Sequence, residues 1–137
     1  MGERVTGRLI APGATRGAAL VLDDPLSLWG GMDPATGRVI ERRHPQHEAL
    51  VTGRVLVLPS ARGSSSSASV LAEAVRAGTA PAGIVLGEPD LILALGVAVA
   101  EELYGVQVPI VVVSAAELAT IGDGEMVEIG PEGVLPV

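Results

Sequence analysis

The residues best able to do chemistry stand together in one stretch, Arg62-Gly63-Ser64-Ser65-Ser66-Ser67, just after the apolar run Val55-Leu56-Val57-Leu58. One guanidinium and four consecutive hydroxyls fall where a strand turns into a helix carrying Val70-Leu71-Ala72-Glu73. Unpaired backbone N–H groups at a helix start favour an anion. A serine hydroxyl is a weak base or nucleophile until its surroundings activate it, and Arg62 with the helix dipole is surrounding of that kind. A cap needs one serine, not four beside an arginine. The stretch therefore reads as equipment for holding a carboxylate or phosphate, or for making one serine unusually acidic.

A second candidate lies upstream, Trp29-Gly30-Gly31-Met32-Asp33. Paired glycines let a backbone approach something closely. The loop reads either as a wall of the site or as a turn in which Trp29 plugs the core and Asp33 fixes Pro34. His44 and His47 lack a third ligand nearby, a weak basis for a metal site, and read as exposed loop residues. Glu88, Asp90, Glu101 and Glu102 read as caps and solvated faces. No nucleophile–His–Asp order, glycine-rich dinucleotide fingerprint, P-loop or zinc-protease motif is present. On its residues alone the chain looks like part of an active site.

The totals restrict the options further. A chain of 137 residues is most simply one domain, taken here as 1–137. Hydrophobic residues make up 48% and mean hydropathy is +0.48, which argues against disorder. With one Trp, one Tyr and no Phe, the core must be built from Val, Leu, Ile and Ala. All nine basic residues are arginine, so Schiff-base chemistry and a P-loop lysine are excluded. The net charge of −7 argues against nucleic acid as a partner. Without cysteine there is no disulfide and no thiolate ligand, so an iron–sulfur or cysteine–zinc centre would have to come from another chain. No signal peptide is visible, and the longest apolar run, Leu91 to Ala100, is too short to span a bilayer. The expectation is a cytoplasmic protein with no membrane association.

The elements that must position these residues can be read in order. Strands are expected at 4–10, 17–22 and 38–41, with a loop of fixed turns at 26–37. Val55–Leu58, Gly83–Leu86 and Pro109–Val113 read as short strands buried on both faces. Between them lie a helix ending near Ala77 with Gly78 after it, and a helix from Leu91 to Tyr104 capped by Asp90. The second helix is apolar almost all round and is expected to be sandwiched. Ser114 opens a short helix with a capping box. The centre is thus an α/β unit, a parallel sheet with flanking helices and right-handed crossovers. The terminal strands are expected to form a second sheet or half-barrel against it.

Four motifs in this order and spacing carry a resemblance: Trp29-Gly30-Gly31-Met32-Asp33-Pro34-Ala35-Thr36-Gly37, His44-Pro45, Arg62-Gly63-Ser64-Ser65-Ser66-Ser67, and Gly78-Thr79-Ala80-Pro81-Ala82. Over about residues 4–115 the chain resembles the swivel domain of the aconitase X family. The resemblance implies a swivelling β/β/α domain that closes over a large catalytic subunit carrying an iron or iron–sulfur centre, this chain itself binding no cofactor. It implies dehydration of a β-hydroxy acid, a hydro-lyase reaction for which this chain alone is inactive. Family members include cis-3-hydroxy-L-proline dehydratases and archaeal phosphomevalonate dehydratases. The serine run and the Gly87-Glu88-Pro89-Asp90 and Glu101-Glu102-Leu103-Tyr104 segments look more like the hydroxyproline type. In aconitases a Gly-Ser-Ser-Arg turn of this domain supplies the catalytic serine. By position that base is Ser64, with Arg62, Gly63, Ser65, Ser66, Gly30, Gly31 and Asp33 as substrate-binding residues, and with the metal of the partner acting on the leaving hydroxyl. Two departures stand out. Family members commonly have a glycine and a serine where this chain has Glu48 and Leu50, and Ala68 interrupts the serine run.

Two rival classes remain. A mobile phosphohistidine domain is also a swivelling β/β/α unit, and its ending resembles Gly122-Asp123-Gly124-Glu125-Met126-Val127-Glu128-Ile129. That chemistry needs a histidine at the sheet-edge turn, where this chain has serines. The other is a binding module with no catalytic partner.

Overall fold

The computed structural model describes residues 7–62, 65–131 and 133–136. The three central apolar runs become β5 (Val55–Leu58), β6 (Gly83–Leu86) and β7 (Ile110–Val112), paired in parallel. The N-terminal strands attach to opposite edges of this unit. β1 (Arg8–Ala11) runs antiparallel to β7, and β2 (Thr15–Val21) runs parallel to β5.

β2 serves two partners along its length. Its second half, Ala19 to Val21, pairs with β5, while Thr15 to Ala18 pair antiparallel with β8 (Met126–Gly130), which carries β9 (Gly133–Pro136). The order is β1-β7-β6-β5-β2-β8-β9, and the sheet turns over on itself at β2.

Strand alternation explains the layers. Val55, Val57, Val85 and Val111 face β8 and β9, where they meet Val127, Ile129 and Val134. Leu56, Leu58, Ile84, Leu86 and Ile110 face the other way and pack with Leu71, Ala74, Leu93, Val97 and Ala100 of two helices. Short β-branched side chains fill the strand–strand layer, and longer ones reach the helices. This is the β/β/α sandwich expected from the sequence.

The helices are α2 (Ser66–Ala77), which ends at the left-handed Gly78, and α3 (Leu91–Tyr104). Asp90 caps α3 by accepting from the N–H groups of Ile92 and Leu93, both at 3.0 Å. The short α4 (Ala115–Leu118) opens with the reciprocal Ser114–Glu117 capping box. Segment 26–37 is indeed turns. The single turn α1 (Leu28–Gly31) has non-helical torsions at Trp29 and Gly30, and leads into the two-residue strands β3 (Met32–Asp33) and β4 (Arg38–Val39).

One expectation fails. α3 is not sandwiched: it buries Leu93, Gly96, Val97 and Ala100, while Leu91, Leu95, Val99 and Leu103 are exposed. A sheet and one neighbouring helix cover a single face, and nothing else among the described residues lies over the other. No helix among the described residues is long and apolar enough to cross a membrane.

The departure at Glu48 has a backbone cost. Its φ is 74°, a left-handed conformation that glycine adopts without steric cost. The backbone is held there by the Glu48 N–H donating to the Val39 carbonyl at 2.8 Å and by Arg38 Nη1 donating to the Glu48 carbonyl at 2.9 Å. Glu48→Gly therefore relieves strain, partly offset by added unfolded-state entropy, and is expected to be neutral to about 1 kcal/mol stabilising. Thermal unfolding of the two proteins side by side checks this.

Candidate active site

In a parallel sheet, ligands bind beyond the carboxyl ends of the strands. Pro59 to Arg62 follow the carboxyl end of β5, between the loops that follow β2 and β6. Gly63 and Ser64 lie outside the described residues. On either side of them the chain departs from ordinary helix-entry geometry. Arg62 is exposed, sits at φ 37° and donates its N–H to Ser60 Oγ at 3.1 Å. A non-glycine residue in that region stores strain, and such strain clusters at functional sites. Ser65 occupies the N-cap position of α2 with helical torsions and makes no side-chain capping bond. Capping therefore does not account for it.

The glycine loop is tied to this turn. Ser67 is buried, and its Oγ accepts the Trp29 N–H at 3.3 Å. Its hydroxyl thus acts in positioning, locking the loop onto the first turn of α2. Gly30 takes φ 78°, a turn that L side chains resist, whereas at Gly31 a Cβ would fall 2.7 Å from Leu26 Cδ1. The pair is glycine for two different reasons, one conformational and one steric.

Between loop and helix lies an open cleft of about 380 Å³, lined by Trp29, Gly30, Asp33, Ile40, Ser66 and Ser69 among others. The cleft brings together three expected site residues, Gly30, Asp33 and Ser66. Arg62, Ser65 and Gly31 are not part of its lining. Asp33 spends both carboxylate oxygens in its own turn, accepting from the Ala35 N–H at 2.9 Å and from Thr36 Oγ1 at 3.2 Å. Of the two readings of the loop, Trp29 follows the first: it is 55% exposed and forms a wall rather than a plug. The lining residues that sequence reasoning missed include Ile40, Ser69 and Val70. Ser69 was accessible, because i and i+3 share a helix face and Ser66 was already a candidate. Ile40 comes from just beyond β4, for which no local signal exists.

His44 corrects a second expectation. It is buried, not an exposed loop residue: its Nε2 lies 3.0 Å from the Asp24 carbonyl, and its Nδ1 accepts the Gln46 N–H at 3.0 Å. Both ring nitrogens are committed to holding the loop after β2 against the loop after β4. A phosphohistidine role needs a free nitrogen, so this geometry opposes it. His47 is exposed. Elsewhere on α2 the Arg76 guanidinium hydrogen-bonds Glu73, holding that carboxyl below its usual range and raising its own, on the solvated face of the helix.

The donor set does not fit an iron centre. The chain has no cysteine, and among the described residues no three His, Asp or Glu side chains gather as a metal site. An iron centre would need ligands from outside the described residues.

The chain matches the aconitase X swivel domain family over residues 4–137. It is 46% identical over 106 residues to the cis-3-hydroxy-L-proline dehydratase of Pseudomonas aeruginosa, which covers 77% of this chain but only 18% of that protein. It is 31% identical to the phosphomevalonate dehydratase small subunit of Methanosarcina acetivorans, covering 96% of this chain and 89% of the relative. The crystal structure of Thermococcus kodakaraensis aconitase X (holo-form) superposes with a TM-score of 0.88 at 28% identity, covering 99% of both chains. Together, a match along almost the whole sequence and a fold superposable from end to end show that this chain belongs to the aconitase X swivel domain family.

Proposed function

We propose that this chain is the small subunit of an aconitase X-type hydro-lyase that dehydrates cis-3-hydroxy-L-proline, completing an active site whose metal is held by a large subunit. In the reaction the proton α to the carboxylate passes to a base, its electron pair forms the new C=C bond, and the C–O bond breaks as the β-hydroxyl takes a proton from an acid of the site and leaves as water. The base assigned to this chain is Ser64. Arg62 and the N-terminus of α2 favour its anionic form or grip the substrate carboxylate, and Gly63, Ser65 and Ser66 complete the cradle. Gly30, Gly31 and Asp33 shape the facing wall.

The observation that carries the substrate choice is the cleft beside the turn. Among the described residues its lining holds a carboxylate, Asp33, and no cation, with Trp29, Ile40 and Val70 offering apolar surface. A ring whose nitrogen is a secondary ammonium suits a cleft with apolar walls and one carboxylate, whereas a terminal phosphate asks for arginine. The 46% identity to a hydroxyproline dehydratase supports the same choice. A second reading, phosphomevalonate dehydration, is favoured by length: the small subunit of Methanosarcina acetivorans is matched over 89% of its length, where the hydroxyproline enzyme is matched over 18%.

The test is turnover by the complex of this chain with its large subunit, read as loss of one water by mass spectrometry. Conversion of cis-3-hydroxy-L-proline and not of phosphomevalonate is expected. The reverse result moves the assignment to the second reading, and no conversion of either sinks the hydro-lyase assignment.

A further inference from the structure

We propose that the exposed apolar face of α3 is the surface by which this chain docks on its larger subunit, in an apolar groove with basic side chains at the end that receives the C-terminus of the helix. The inference rests on the subunit reading above and adds where the partner binds. Leu91 is 75% exposed, Leu95 60% and Leu103 63%, with Val99 exposed between them. These positions recur every four residues and form one stripe along a helix roughly 20 Å long. A contiguous exposed stripe of this kind marks an interaction site, where scattered apolar residues would not.

The charges choose the occupant. α3 has no basic residue in its last turn, where Glu101 and Glu102 oppose the helix dipole. Glu88 and Asp90 stand at its other end. Arg76, at the C-terminal end of α2, is already tied to Glu73. Two copies of this chain paired antiparallel through α3 would bring Glu101 and Glu102 onto Glu88 and Asp90. Paired parallel, they would oppose their own equivalents. Either arrangement sets like charges together in a chain of net charge −7. A different polypeptide with cations at the Glu101–Glu102 end meets the apolar stripe and offsets the misplaced carboxylates at once.

Placement agrees. The loop before α3 is fastened beside the candidate site by the Gly87 N–H donating to the Leu58 carbonyl at 3.2 Å, and Gly96 brings α3 hard against Ala68 in the first turn of α2. A partner closing over the carboxyl ends of the strands would meet the stripe at Leu91.

The experiment compares wild type with Leu91→Glu/Leu95→Glu/Leu103→Glu for binding to the aconitase X-type large subunit of the same genome, with thermal unfolding of each isolated chain alongside. Binding weakened at least about a hundredfold with unchanged unfolding is expected. Should the triple variant fail to fold, Leu95→Ser and Leu103→Ser are each expected to weaken binding about tenfold. Glu101→Arg/Glu102→Arg is expected to slow association most at low salt. Equal binding by wild type and stripe variants overturns this interface but leaves the subunit reading standing. Absence of binding by the wild type overturns the subunit reading itself. A wild-type homodimer that Leu95→Glu dissolves assigns the stripe to a second copy and overturns the proposal.

Discussion

Ser64→Ala in the assembled enzyme is expected to lower kcat for dehydration by about 10²–10⁴-fold, the range of a lost general base, with little change in KM. In the proposed assignment, substrate binding rests on the arginine and backbone groups around the turn, whereas proton removal rests on one oxygen. The variant should still co-elute with the large subunit and unfold at the wild-type temperature. That combination separates a chemical role from a structural one, because a turn that merely shaped the helix entry would lose stability or assembly together with activity. Retained turnover would move the base to another group, with Ser65 and Ser66 next to be replaced. A rise in KM with kcat preserved would instead make the serine a substrate ligand.

Gly96→Val is expected to cost about 1–3 kcal/mol and to lower the melting temperature by several degrees, although Gly96 lies in a helix where glycine is itself unfavourable. The added Cβ would fall 2.8 Å from the Ala68 carbonyl oxygen and 2.9 Å from Ala68 Cα. These are backbone atoms, so they cannot rotate aside as a side chain would. Separation of α3 from α2 is the available relief, and it acts on the first turn of α2, which carries Ser66 and Ser67. Ser67 in turn holds Trp29. Activity of the complex should therefore fall by more than the unfolding data alone require. A wild-type melting temperature and wild-type kcat would show that the helices reseat without cost.

Much of the fold was legible because it is local. The strands Val55–Leu58 and Gly83–Leu86, the Asp90 cap and the Ser114–Glu117 box depend on residues within a few positions of each other. The glycine loop was legible as turns for the same reason. The direction of the centre followed from handedness: two strand–helix–strand units leave little choice but a parallel sheet.

What escaped the sequence depends on contacts between distant segments. Nothing in residues 15–21 announces that β2 serves two partners, since that depends on where β8 arrives. His44 reads as a loop histidine until the loop after β2 closes over it and both ring nitrogens find backbone partners. Ser67 reads as one hydroxyl of four until Trp29 is brought to it across 38 positions. α3 is the clearest case: its composition says that water is disfavoured on every face, and only the layer count shows that one face was left open. The sequence alone gathered one arginine and four serines into a single strand-to-helix turn, and it carried the motifs of the family. Tertiary structure decided which of those hydroxyls anchors and which apolar face is left exposed, because burial and pairing are properties of neighbours that the chain brings together only on folding.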